Sequence, residues 1–130
     1  MTLTDEALVR YARHIVLPEI GGVGQARLLA SAVLVVGIGG LGAPLALYLA
    51  AAGVGRLGLV DDDRVDATNL HRQVIFSEAD IGRPKVEAAA ERLRGLASAI
   101  TIEPHALRLD ATNAGPLIAA YDLVADGSDN

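Results

Sequence analysis

A chain of 130 residues, 52% apolar and 21% charged, has the make-up of one domain with a buried core, not of a disordered chain or a pair of domains. Glycines interrupt every apolar stretch before it reaches the roughly 20 residues of a membrane span, and the acidic start "MTLTDEALVR" lacks a secretory signal design, so a cytoplasmic protein with no membrane partner is expected. The net charge of −5 speaks against a nucleic-acid partner, and the lack of cysteine excludes a disulfide, a thiolate zinc site and a thioester within this stretch.

In chain order, Thr4 reads as the N-cap of a helix from Asp5 to His14, with Asp5 and Glu6 in the first turn and Arg10 and Arg13 three apart on one face. After a Pro18–Gly24 loop, "QARLLAS" predicts a short helix. "AVLVV" (Ala32–Val36) is wholly apolar, the pattern of a parallel strand covered on both faces. Gly37 to Gly42 form a turn into a helix that runs to Ala52 and is capped by Gly53. "RLGLV" (Arg56–Val60) is the second strand, ending at Asp61, Asp62 and Asp63. Residues 64–84 form a long polar stretch without periodicity, and such loops are uncommon unless they have a function. A helix from Lys85 to Ala97, a strand from Ile100 to Ala106, a short helix from Asn113 to Tyr121 and a strand from Asp122 to Asp126 follow.

Alternating strands and helices predict a Rossmann-like α/β fold with a doubly wound, mainly parallel sheet, preceded by N-terminal helices over residues 1–31. The sheet is expected to stop after its fourth strand, as part of a longer fold, leaving an exposed edge there and a tendency to associate.

"GIGGLG" satisfies G-x-G-x-x-G through Gly37, Gly39 and Gly42, between a strand and a helix, where backbone can approach a phosphate. Asp61, 19 residues after Gly42, is placed to accept ribose hydroxyls. A dinucleotide satisfies these features, and so does a tight packing turn without a ligand. The loop that follows adds Asn69, Arg72 and Gln73, and Lys85 comes 13 residues after Arg72. Ten of the 11 basic residues are arginine, so the single lysine is a candidate for a position that wants a compact ammonium. Two phosphates need little more than the turn and a helix N-terminus, whereas a triphosphate attacked at its α-phosphorus needs cationic clamps and a metal ion; the loop favours the triphosphate. His14, His71 and His105 show no ligand spacing and are expected at the surface.

Five successive segments, "RYARHIVLPEIG", "VLVVGIGGLGAPLALYLAAAGVG", "LGLVDDDRVDATNLHRQVIF", "IGRPKVEAAAERL" and "YDLVADGSDN", resemble in order and spacing the ubiquitin-activating-enzyme-like adenylyltransferases, the ThiF, MoeB and HesA group. The resemblance implies adenylation by ATP and magnesium of the C-terminal carboxylate of a ubiquitin-like sulfur-carrier protein ending in Gly-Gly, with release of pyrophosphate, as in molybdopterin or thiamine biosynthesis. It implies that Gly40 lies against the phosphates and Asp61 binds the ribose. Asn69 and Arg72 would contact the triphosphate and Lys85 a phosphate oxygen; Asp129 would hold magnesium, with Asn130 beside the nucleotide. Arg13 resembles the arginine that reaches into a partner subunit's site, which implies a homodimer. The family's zinc-binding cysteine pairs and carrier-binding surface belong to a further stretch not represented in these residues, so the piece alone is expected to be weak or inactive. His14 stands where the family usually has glutamine, and Ala43 and Gly127 where it often has cysteine. A nicotinamide-dependent oxidoreductase explains Gly37 to Asp61 equally well but gives no role to Arg13, Arg72, Lys85 or Asp129. An inactive scaffold subunit has no physical need for that set.

Overall fold

A computed structural model describes residues 3–128. Along the chain lie α1 (Asp5–Arg10), α2 (Ala12–Ile15), α3 (Gly21–Ala30), β1 (Ala32–Val36), α4 (Gly42–Ala52), β2 (Arg56–Val60), α5 (Lys85–Leu96), β3 (Thr101–His105), α6 (Ala114–Ala119) and β4 (Leu123–Asp126). The strands form one all-parallel sheet in the order β3-β2-β1-β4, a Rossmann-like α/β arrangement. In register, Val36 of β1 stands opposite Val60 of β2 and Asp126 of β4, so the carboxyl ends are level. The strand order reverses between β1 and β4, and a sheet of this kind opens its ligand crevice at that reversal.

The apolar run of β1 is buried because both faces of the strand are covered, as a parallel interior strand requires. Val33, Val35, Leu57 and Leu59 meet Ala46 and Ala50 of α4 and Val86, Ala89, Ala90 and Leu93 of α5 in the main core. Successive strand residues alternate faces, so Gly58 points the other way; a Cβ there would collide with the Tyr121 hydroxyl, which lies against β2. β4 is an edge strand with Leu123 66% and Val124 41% exposed, the bare edge that the sequence predicts.

The N-terminal region departs from expectation. Thr4 caps α1, its Oγ1 accepting the Ala7 N–H at 3.1 Å, but the single helix over 5–14 is broken at Tyr11 (φ −104°, ψ 17°). The break turns the Tyr11 ring inward against Gly53, the left-handed C-cap of α4 (φ 92°), where it is 5% exposed. Helix α3 starts at Gly21, four residues earlier than its apolar pattern suggests. Its Gln25 is fully buried: Nε2 donates to the Ala52 carbonyl at 3.0 Å and Oε1 pairs with His14 Nδ1 at 2.9 Å. His14 is therefore a half-buried clasp between α2 and α3, not the surface histidine expected. Arg10 and Arg13 fall on opposite sides of the break; Arg10 donates to the Leu96 carbonyl at 3.1 Å, whereas Arg13 is exposed.

The polar stretch 64–84 is ordered by two 3-10 turns, Ala67–Asn69 and Glu78–Asp80, each closed by a capping box from Asp66 and Ser77. Among the described residues no helix is long and apolar enough to cross a membrane.

Candidate functional site

The glycines after β1 divide into two groups. Gly37 takes φ +86°, which favours glycine, and a Cβ on it would lie 2.8 Å from the Ser128 nitrogen. A Cβ on Gly42 would fall on the Gly37 carbonyl oxygen, and one on Gly127 would lie 2.6 Å from the Gly42 Cα. These three glycines hold the turn, the start of α4 and the end of β4 in backbone contact. Gly39 and Gly40 face open space instead: a Cβ on Gly40 meets nothing within 4 Å, and one on Gly39 meets only the Gln73 amide nitrogen at 3.7 Å. They leave bare backbone beside the N-terminus of the 11-residue α4, where the Ala43 N–H donates to the Gly39 carbonyl at 3.0 Å and Pro44 carries no N–H, so the anion-facing donors are those of the turn and the very start of the helix.

Asp61 braces this turn. Its Oδ2 accepts the Ile38 N–H and its Oδ1 the Asp63 N–H, both at 2.8 Å. Each carboxylate oxygen keeps a further lone pair for a hydroxyl. Carboxylate oxygens of Asp61, Asp62 and Asp63 lie within 4.8 Å of one another.

The chain then folds back to bring its cations to the crevice that this bare backbone lines. The Asn69 side-chain oxygen accepts the Asp66 N–H at 3.1 Å, and its carbonyl accepts the N–H groups of Arg72 at 3.1 Å and Gln73 at 2.8 Å. Ile75 and Phe76, both buried, anchor the far side of that turn in the core. Lys85 opens α5 with its N–H on the Asp63 carbonyl at 2.9 Å. Its side chain is 7% exposed, and Nζ lies 3.9 Å from Asp63 Oδ2. This is a buried lysine with one loose partner, not a solvated one.

A crevice of about 920 Å³ at the carboxyl ends of the strands is lined by Gly37, Gly39, Gly40, Asp61, Asn69, Arg72 and Lys85 together. Leu107, Arg108 and Leu109, just past β3, also line it. Sequence reasoning assigned those three no role, since only the pairing of β3 with β2 brings them there. Gln73, named with the loop but given no individual role, lines the crevice, is 3% exposed, and its Oε1 is buried without a hydrogen-bond partner. Gly42 lies behind the turn as packing, and Arg13 lies on α2, outside the crevice lining. Asp129 and Asn130 lie outside the described residues; Ser128, just before them, lines the crevice.

A second polar cluster lies on the sheet face covered by Tyr121. Arg56 pairs with Glu103 at 2.8 Å, and the Tyr121 hydroxyl donates to the same Glu103 oxygen at 2.7 Å while meeting His105 Nε2 at 3.0 Å. The Arg56 guanidinium also donates to the Ala120 carbonyl and sits 4.5 Å from the centre of the Tyr121 ring. Burial, with the Glu103 charge, pushes the Tyr121 phenol above its usual range. Burial pushes the Glu103 carboxyl up, but the Tyr121 and Arg56 hydrogen bonds outweigh it and hold the group below its ordinary value. His105 is thus half-buried and engaged, contrary to the expected surface position, whereas His71 is exposed.

The donor set is suited to a nucleoside triphosphate. Bare glycine backbone and a helix N-terminus can take phosphate oxygens, two cations line the same crevice, and a braced carboxylate with free lone pairs can take a ribose. Comparison with known proteins gives the same direction. The chain is 59% identical over 128 residues to adenylyltransferase and sulfurtransferase MOCS3 of Bos taurus, covering 98% of the chain and 28% of that protein. It is 52% identical to the SAMP-activating enzyme E1 of Haloferax volcanii and 48% to the sulfur carrier protein adenylyltransferase of Thermus thermophilus, in each case over 100% of the chain, and over 49% and 48% of those proteins. The chain therefore spans half or less of the length of these relatives. Among solved structures, E. coli tRNA N6-threonylcarbamoyladenosine dehydratase TcdA in complex with ATP superposes with a TM-score of 0.92 at 27% identity, covering 100% of the chain and 53% of that structure. None of these names supports the nicotinamide reading. The ThiF family model matches residues 11–130, which include the glycine turn, the Asn69–Lys85 loop and all four strands, and the chain belongs to the ThiF family.

Proposed function

We propose that this chain is the nucleotide-binding part of an adenylyltransferase that activates the C-terminal Gly-Gly carboxylate of a ubiquitin-like sulfur-carrier protein. The observation that carries the reading is the convergence of Arg72 and a buried Lys85 on a crevice also lined by the bare backbone of Gly39 and Gly40. A diphosphate held by a turn and a helix N-terminus does not require this much positive charge.

In this reading Gly39, Gly40 and the α4 N-terminus hold phosphate oxygens, Asn69 and Arg72 contact the triphosphate, and Asp61 takes the ribose hydroxyls while bracing the turn. Lys85 neutralises charge that develops as the carrier carboxylate attacks the α-phosphorus and the bond to pyrophosphate breaks. The attacking carboxylate is already ionised, so no protein base is needed; positioning and charge neutralisation supply the catalysis. The family resemblance assigns Asp129 to magnesium, which would add charge neutralisation on the phosphates when bound, and Asn130 to the nucleotide. Arg13, exposed and outside the crevice of its own chain, is assigned to the crevice of a second copy, which makes the working unit a homodimer.

The test is ATP–pyrophosphate exchange by the full-length protein with magnesium and a panel of Gly-Gly-ending carriers. Carrier-dependent exchange is expected, and the carrier that supports it names the pathway. No exchange with any carrier, together with measurable NADH binding, would replace this reading with the oxidoreductase one.

A further inference from the structure

Two buried polar groups in the crevice wall are incomplete in complementary ways. Gln73 is 3% exposed, and its Oε1 is an acceptor without a donor. Lys85 has three N–H donors and, 3.9 Å away, one loose acceptor in Asp63. An unpartnered buried carbonyl is destabilising, and native structures rarely keep one without a reason. The backbone around it is firmly fixed: the Gln73 N–H is bonded to Asn69, the Gln73 carbonyl accepts the Phe76 N–H at 3.1 Å, and Ile75 and Phe76 are buried beside it. The side chain thus leaves a fixed backbone position and is 3% exposed, with its orphan oxygen out of reach of solvent where it stands. Its own amide nitrogen faces Gly39 of the glycine turn, 3.7 Å from where a Cβ on that glycine would lie.

We propose that Gln73 is a positioning residue for Lys85: when phosphates draw the ammonium away from Asp63, Gln73 Oε1 takes one of its N–H groups and aims the remaining donors at the ligand. No bond is made or broken; one hydrogen bond forms in the loaded site that the empty site lacks. This rests on the nucleotide reading above. It makes the empty site carry the orphan and the loaded site complete it, so Gln73 contributes to binding instead of to folding.

The full-length protein tests this through ATP affinity by calorimetry in wild type, Gln73→Leu, Lys85→Ala and the double variant, with thermal unfolding of each in the absence of nucleotide. Gln73→Leu removes the orphan with little change in volume, so the unliganded melting temperature should stay level or rise while ATP affinity falls about tenfold, the worth of one charge-assisted hydrogen bond. In the Lys85→Ala background the same change should cost less than about twofold, because the partner is gone. Equal losses in both backgrounds would overturn the proposal, as would unchanged ATP affinity or a lowered melting temperature as the sole effect. Gln73→Met, unbranched and similar in length, takes the place of leucine if that variant does not fold. Absence of ATP binding by the wild type would instead remove the nucleotide reading itself.

Discussion

On one face of β2 and β3, Arg56, Glu103, His105 and Tyr121 bind one another; at the carboxyl end of the same sheet, Gln73 and Lys85 are buried and largely without partners. Both clusters join residues far apart in sequence, and both contain the side chains from which active sites are made. What separates them is satisfaction. In the first, each group meets a complementary one within hydrogen-bond distance, and the net result is to fasten the segment before β4 onto the sheet. In the second, cations share a crevice with bare backbone, and an acceptor is left without a donor. Shifted ionisation alone would point to the wrong cluster, since Tyr121 and Glu103 are both displaced from their ordinary values and yet serve one another.

The contrast is broken most severely by Lys85→Ala, which should lower carrier-dependent pyrophosphate exchange by about 10²–10³-fold, the usual loss for one charge-stabilising donor. The fold should remain, as judged by circular dichroism; exchange within twofold of wild type would remove the assigned role. Gly42→Ala comes next: its Cβ cannot coexist with the Gly37 carbonyl, so overpacking should destabilise the protein by about 1–3 kcal/mol in urea unfolding and loosen the turn that holds phosphate. Tyr121→Phe takes the donor from Glu103 and the acceptor from His105; a loss of about 1 kcal/mol in stability is expected with ATP affinity unchanged. A fall in affinity there would mean that the two clusters are coupled.

The smallest effect is in acid. Glu103 titrates below its ordinary 4.5 in the folded protein, so its contribution is present above that pH and is lost as pH falls through the lowered value. Glu103→Gln should therefore flatten the decline in stability below about pH 4.5. An unaltered acid limb would show that the pair with Arg56 adds nothing, as partly exposed pairs often do.

Elements governed by local rules were readable in the sequence: the Thr4 cap, the apolar run of β1, the Gly53 cap and the start of α5 at Lys85 all follow from chemistry within a few residues. The glycine turn was readable as a motif, but its division into packing glycines and bare ones depends on Ser128 and on the Gly37 carbonyl, and no spacing rule reveals that. The break at Tyr11 was hidden because the packing partner of its ring, Gly53, lies 42 residues away. His105 and Gln73 were misjudged or passed over for the same reason: burial comes from strand pairing and loop folding, and neither leaves a periodic mark. Asn69, Arg72 and Lys85 were singled out because their residue types and spacing suited a triphosphate, and the loop's fold sets them around one crevice.

Asp61 carries a consequence for redesign. Nucleotide preference in folds of this kind is ordinarily retuned at the acid closing the second strand. Here the same two oxygens that would meet a ribose also hold the Ile38 and Asp63 N–H groups. Under the proposed function, selectivity and scaffold share one side chain and mutate together. An engineer who exchanges that acid must first give both N–H groups a new acceptor, and natural drift at this position faces the same two-step barrier.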